Sequence, residues 1–277
     1  MPQTINFFLV TLLLIVFLPA AALGGAWTER KGRGYNKLAF NYYHSDKNYD
    51  TAGNKADAPF NGDFRDANVS IYADYGITDE LTVLLSAFYK SMRYMDDNLT
   101  EHTDAFGDPE LALKYKLGQY KNLFASFQAG AKFPGLYGKR GPLPSGNHQI
   151  DIEPRLLLGV SLYPITGYLN LEAAYRYRAE EPADEFRYLL EAGYSFTQDI
   201  GVRCKLDIIE SARNGAVLAV EGMNKTITYQ YDLYRVELSG IYRLAGGWSL
   251  ELTCNPTFHG KNTSHGTAYS MGLVWVY

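Results

Sequence analysis

The chain has 277 residues, a formal net charge of -4 and two cysteines, Cys204 and Cys254. So small a charge gives no argument for a nucleic-acid partner, and two cysteines are too few for a disulfide framework. The departure from ordinary composition lies in the rings, 23 Tyr and 14 Phe; Tyr suits places where an apolar ring meets water at its hydroxyl.

Residues 7–23, "FFLVTLLLIVFLPAAAL", are an apolar run closed by Pro19 and small residues. They read as the core of a secretion signal, with cleavage after Ala22 or Gly24. The run is short for a membrane-anchoring helix, and it holds no Cys for lipid attachment. The expected organisation is a signal over residues 1–24 and one domain over 25–277.

From Gly34 onward the apolar period is two rather than 3.6. In chain order the alternating segments are "KLAFNYYH", "RDANVSIYADY", "LTVLLSAFYKS", "PELALKYKL", "LFASFQAGAKF", "QIDIEPRLLLGVSLY", "GYLNLEAAYRYR", "FRYLLEAGYSF", "GVRCKLDII", "TITYQYDLYRVELSGIYRL", "WSLELTCNPTF" and "AYSMGLVWVY". They predict an even number of strands. Alternate connections are very short ("GITDE", "GQYK", "PITG", "TQDI", "AGG"), with the Gly, Asp and Pro that tight turns need. The connections between them are mostly longer and polar, as at 45–62, 94–106, 134–147 and 211–224.

Each segment splits into two faces. Leu169, Leu171, Ala173, Tyr175 and Tyr177 oppose Asn170, Glu172, Ala174, Arg176 and Arg178. A soluble sandwich also alternates, but these strands are long for one, their rings collect toward strand ends, and the leader points out of the cytoplasm. The fold expected is all-β: a 12-stranded antiparallel transmembrane β-barrel with short periplasmic turns and longer extracellular loops. In the tenth segment, Thr226, Thr228, Gln230 and Asp232 share one parity and Arg235, Glu237, Ser239 and Arg243 the other, which predicts a bulge near Leu233 or Tyr234.

Parity turns charged residues inward. The lumen-lining residues expected are Lys114, Lys116, Arg155, Glu172, Arg176, Arg178, Arg187, Glu191, Arg203, Lys205, Asp207 and Glu237, with Lys37, Lys90, Lys132, Arg235 and Arg243 among further bases and Asp66, Asp74, Glu110, Asp151, Glu153, Asp232 and Glu251 among further acids. Burial of so many charges requires pairing or water. Two fillings satisfy that: ion pairs that shut the centre, or a watery channel. The seventh to ninth segments carry Arg176, Arg178, Arg187, Arg203 and Lys205 against three acids, a modestly basic wall of the kind that favours anionic solutes. The Gly- and Pro-rich "PGLYGKRGPLPSGN" is suited to folding inward as a constriction, and the apolar centre of "NGAVLAVEGMN" to capping a pore or resting on lipid.

His44, His259 and His265 fall at the ends of the first, eleventh and twelfth segments, which closure brings together. That gives a second function, a lipid hydrolase with a rim site. No spacing fixes a triad or a metal-ligand set, so no enzyme, cofactor or metal is expected.

The terminal "GLVWVY" and the strand pattern resemble a Gram-negative outer-membrane protein, whose last strand commonly ends in an aromatic residue read by the barrel assembly machinery. More narrowly, "AWTERKGRGYNKLAFNYY", "YADYGITDELTVLLSAFYK" and "FGDPELALKYKL" resemble the phenol meta-pathway outer-membrane family, in which Gly107, Asp108 and Tyr115 match a recurring structural pattern. The resemblance implies an outer-membrane location and passage of a small, often aromatic, compound. The partners expected are outer-membrane lipid and lipopolysaccharide, the assembly machinery and a small-molecule solute. A closed structural barrel without transport is the further alternative.

Overall fold

The computed structural model describes residues 25–138, 143, 145–180, 182–215 and 230–277. Its strands are β1 (Gly34–Tyr49), β2 (Lys55–Asp57), β3 (Asp63–Gly76), β4 (Leu81–Met95), β5 (Thr100–Phe106), β6 (Glu110–Tyr120), β7 (Leu123–Lys132), β8 (Asp151–Ser161), β9 (Gly167–Arg178), β10 (Glu185–Ser195), β11 (Ile200–Ser211), β12 (Asp232–Arg243), β13 (Trp248–Lys261) and β14 (Thr263–Val276). Twelve of them form a closed antiparallel ring in chain order; β2 extends β1, and β5 pairs the upper part of β4. The barrel expected from the alternation is the fold found.

Closure is made between β14 and β1, from Tyr35 opposite Val276 to Tyr49 opposite Thr263, with one register shift between Ser45 and Lys47. Backbone hydrogen bonds from Gly34 N to Tyr277 O and from Tyr277 N to Gly34 O, at 3.2 and 3.1 Å, finish the seam. The terminal rings sit on that seam: Trp275 stacks on Trp248 at 5.7 Å and lies 4.5 Å from Tyr277. A ring leaves no open strand edge, which hydrocarbon would not tolerate.

β5 and β6 make one descending stave, broken at Gly107–Pro109. β4 pairs β5 over Tyr89–Met95 and β6 over Leu81–Ser86. The Phe88 ring fills the place where a Cβ on Gly107 would stand, 1.6 Å from it, so only glycine fits. The break turns Asp108 into the barrel.

The two faces differ as the alternation demands. Leu38, Phe40, Ile71, Leu111, Leu113, Leu156, Leu171, Leu190 and Leu252 are exposed on the outside, while Lys114, Asp151, Asn170, Glu172, Arg178, Glu191 and Glu251 are buried inside. So much contiguous apolar surface is stable only against an apolar solvent. In this molecule the usual rule is inverted: grease faces out and charge faces in.

The predicted bulge falls at the expected place but on the neighbouring strand. Tyr234 pairs His259 and Arg235 pairs Thr257, so the extra residue is Phe258 of β13. β12 itself therefore keeps a single alternation, and one expectation is corrected. Asp232 shares the outward parity of Tyr234 and Leu238 and does not line the lumen; it pairs with Arg213 and, at 4.0 Å, with Lys261. At the loop end the strand has risen past the apolar belt, so a polar residue can face outward. Thr226 and Thr228 lie outside the described residues.

Candidate functional site: the lumen

The site is built from inward side chains of the ring and from two segments that are not strands. At the turn end, residues 28–33 run along the rim. Thr28 Oγ1 donates to Asp79 O at 2.9 Å, the Glu29 amide to Thr82 Oγ1 at 2.8 Å and the Lys31 amide to Asp79 Oδ1 at 2.9 Å. Residues 25–27 then rise into the barrel. The Ala26 amide donates to Asn170 Oδ1 at 3.0 Å, Ala26 O accepts from Ser126 Oγ at 2.5 Å, and Gly25 O accepts from Lys114 Nζ at 3.1 Å. Trp27 packs between Phe124 and Tyr168, at 5.5 and 5.6 Å. Its room comes from Gly159, where a Cβ would stand 2.7 Å from the indole. Ala26 is only 1 % exposed. We call residues 25–33 the strap.

Lys114 explains why the strap needs a carbonyl at this point. Its ammonium is 1 % exposed, and its carboxylate neighbour Asp74 lies 3.9 Å away. At that distance no direct hydrogen bond forms, so the Gly25 carbonyl supplies the near acceptor.

Beyond the strap the lumen holds a cavity of about 200 Å³, bounded by Gly25 at one end. Leu84, Leu157 and Tyr72 give it apolar wall; Lys114, Arg155 and Arg176 with Glu110, Glu153 and Glu172 give it charged wall. Glu153 is a hub: it accepts from Arg155, from Arg176 Nε at 2.6 Å and from Arg187 Nη1 at 2.9 Å. Arg155 also bonds Glu172, and Arg176 reaches Glu110 at 3.0 Å.

Most of the remaining charges form two further clusters, and Lys90 and Asp66 make a separate pair at 3.0 Å. Arg178 pairs with Glu185 at 2.9 Å and with Asp151 at 3.8 Å, and Asp151 holds Lys132 at 2.7 Å. Lys37 and Arg203 share Glu251 at 2.5 and 2.6 Å, while Lys205 lies 3.4 Å from Glu191 and 3.5 Å from Glu237. Asp207 pairs with Arg235. Lys116 sits at the turn end, its Nζ 3.4 Å from Gln119 Oε1.

Asp232 apart, these expected residues fall on the inward parity of their strands. The basic wall expected on β9–β11 is countered from within by Glu185 of β10 and from other strands by Glu153 of β8, Glu237 of β12 and Glu251 of β13, each of which takes one or more of its cations. Sequence reasoning missed Glu185 because "EEPADE" reads as a turn. It missed the strap because "GAWTERKG" has no period.

At the loop end, the segment after β7 bends inward onto Asp108. That carboxylate accepts from the Gly135 amide at 2.9 Å, Tyr137 OH at 2.6 Å and the Asn147 amide at 3.0 Å, with Lys132 at 3.4 Å. The His148 amide donates to Tyr137 OH at 2.6 Å, and Gln149 Nε2 to Asp151 Oδ1 at 2.8 Å. The described part of "PGLYGKRGPLPSGN" therefore folds over inward-facing residues. The apolar centre of "NGAVLAVEGMN" lies outside the described residues. A second rim clasp joins the β9–β10 and β11–β12 connections. Asp184 accepts from Tyr175 OH, the Arg178 amide and Asn214 Nδ2, at 2.6, 2.7 and 2.8 Å. Burial works to raise the Asp184 carboxyl, but these donors outweigh it and hold it below the ordinary carboxylate range.

The rim histidines do not converge as closure of the ring suggested. His259 and His265 flank the Tyr49 ring at 6.1 and 5.4 Å. His44 faces Asp63 at 2.7 Å instead. Ser45 Oγ donates to the carbonyls of Lys47 and His265, and Ser264 bonds Tyr43. Neither serine is held by a histidine ring, and among the described residues no cluster of His, Cys, Asp and Glu could hold a metal ion.

No family model matches the sequence, and no curated protein matches it. Solved structures match the shape. The COG4313 outer membrane channel from Pseudomonas putida F1 aligns with a TM-score of 0.72 at 13% identity, over 92% of this chain and 98% of that one. The NanC porin aligns at 0.54 and 8%, over 87% and 98%. The translocator domain of the autotransporter NalP from Neisseria meningitidis aligns at 0.53 and 11%, over 99% and 97%. At these identities the likeness is one of fold: this chain has the closed barrel architecture of outer-membrane channels and porins.

Proposed function

We propose that the chain is an outer-membrane channel for a small solute. In this reading residues 1–24 are a secretion signal, the turn end faces the periplasm, and the strap is the periplasmic closure of the lumen. The observation that carries it is the cavity itself. A barrel built only as a scaffold has no use for a chamber at its centre with both apolar and charged walls, closed below by a segment outside the β-ladder. The solutes that suit those walls are small anions and small molecules with an apolar or aromatic body. The resemblance to the phenol meta-pathway family points the same way, and so does the fold shared with solved outer-membrane channels and porins.

The test is conductance in planar bilayers and liposome swelling with the intact protein, using chloride, benzoate and phenol as probes. The expected result is a small conductance and measurable swelling. Arg176→Gln or Arg203→Gln is expected to weaken passage of benzoate more than of phenol. Neither current nor swelling, from the wild-type protein and from one lacking Ala26–Glu29, would overturn the reading and leave the ion-paired scaffold.

A further inference from the structure

Cross-strand register sets four basic side chains in one row on the outward face of the barrel. His44 lies opposite Arg65, Arg65 opposite Arg93, and Arg93 opposite His102. On β6–β12 no Arg or Lys has the outward parity among the described residues. Lys261 of β13 lies opposite outward-facing Asp232 and 4.0 Å from its carboxylate, so the run of adjacent bases is a feature of β1, β3, β4 and β5 and not of an even basic collar.

Its height has meaning. Exposed Tyr75 marks the turn-end girdle on β3, and Arg65 is ten residues further along the same strand. At ~3.3 Å per residue that is about 33 Å of strand, and a tilt near 40° reduces it to about 25 Å, the height of the apolar band of such barrels. The row thus stands where hydrocarbon ends and headgroups begin. Below it, in register, lie exposed Phe40, Val69, Tyr89 and Phe106.

Its charges are unevenly paired: with both histidines neutral, Asp63 and Asp104 balance the two arginines in sum, but among the described residues only Arg65 has a carboxylate beside it. Asp63 accepts from Arg65 Nε and from His44 Nε2, both at 2.7 Å, and Asp104 pairs with His102 at 2.9 Å. Arg93 has a different neighbour: its Nη2 lies 3.1 Å from Met95 Sδ, and among the described residues it has no carboxylate partner. Two arginines directly opposite on adjacent strands repel each other. An anion shared between them removes that repulsion, and guanidinium forks match phosphate oxygens two at a time.

We propose that Arg65 and Arg93 bind the phosphate of a phosphorylated glycolipid of the outer leaflet, with His44 and His102 at the flanks and the acyl chains lying on the Phe40–Val69–Tyr89–Phe106 row. The proposal rests on the outer-membrane reading of the barrel but not on passage through the lumen.

Native mass spectrometry of the intact purified protein tests it, with bis-phosphorylated lipid A and the same glycolipid stripped of phosphate as the two probes. Wild-type protein is expected to retain the phosphorylated form at least tenfold more. The double variant Arg65→Gln/Arg93→Gln is expected to lose that preference, and Lys121→Gln, in a turn at the opposite end, to keep it. Equal retention of both glycolipids by wild type overturns the site; so does an undiminished preference in a double variant that still shows the heat-dependent gel shift of a folded barrel. The wild-type comparison decides the matter even where the variant fails to fold. Conductance with no glycolipid preference sinks this site alone; a preference with no conductance sinks the channel reading alone.

Discussion

The two ends of the lumen are closed by opposite chemistry. At the turn end the strap is held by backbone groups, by neutral Asn170, Ser126 and Thr82, and by the packing of Trp27 against two rings and Gly159. Its charged contacts are the Lys114 ammonium on the Gly25 carbonyl and, out at the rim, the Lys31 amide on the Asp79 carboxylate. At the loop end the segment after β7 converges on a single carboxylate, Asp108, and the rim beside it on another, Asp184. Neutral hydrogen bonds are each worth about 0.5–1.5 kcal/mol net and those to charged groups about 1.5–3. The strap therefore gains its hold from several modest contacts, whereas the outer closures depend on one ionised group each. At Ala26 the first design rests on neutral partners alone, and it is hard to undo by any one polar substitution. The second can be undone at a single side chain.

The comparison is broken most severely by removing the strap. Deletion of Ala26–Glu29 is expected to raise single-channel conductance severalfold, measured in bilayers; an unchanged conductance would mean that the strap does not obstruct the path. Trp27→Ala is the next largest step. Truncating a packed Trp typically costs about 3–5 kcal/mol, so the strap is expected to spend part of its time released, seen as flickering current and as protease cleavage near Arg30. Asp108→Asn is expected to loosen the loop end by about 1–3 kcal/mol, read as faster amide exchange at Gly135 and Asn147 with no change at Ala26.

The pH experiment sharpens the same contrast. Asp184 is held below its ordinary range, so its clasp is fully present above the unfolded carboxylate value and is lost as pH falls through the lower folded value. Amide protection at Arg178, taken relative to the intrinsic exchange rate at each pH, is therefore expected to fall below about pH 4, with protection at Ala26 unchanged over the same range. An equal fall at both ends would erase the distinction. The smallest effect is expected from Lys116→Gln at the exposed turn end, a slight shift of reversal potential.

How much of this was legible in the sequence follows from periodicity. A strand with lipid on one side and a charged lumen on the other writes its facing into every second residue, so the ring and the inward positions of Arg155, Arg176, Glu191 and Glu237 could be read directly. The corrections come where alternation carries no such pressure. Asp232 has left the apolar belt. Glu185 follows a turn that hides the start of its strand. The Tyr234/Arg235 irregularity was visible as a parity conflict, but a conflict on one strand does not say which partner holds the extra residue. The strap was illegible for a different reason. It binds through its own backbone amides and carbonyls, which every residue has, and its specificity resides in the hole left by Gly159. Gly107 and Asp108 were visible as a pattern, but their meaning required Phe88 and the loop across the lumen.

The strap is joined directly to Gly34 at the start of β1, so it can leave the lumen only as far as residues 30–33 allow. It is in effect a ligand tethered to its own receptor. Short flexible tethers give effective concentrations on the order of millimolar. Any solute arriving from the loop end must compete with that concentration and not with bulk solvent. A released strap finds its seat again as a unimolecular event, so open intervals are expected to be brief and their length independent of how much protein is present. On the channel proposal, passage is expected in short bursts set by the tether's length, and lengthening the tether, not widening the barrel, is expected to prolong them.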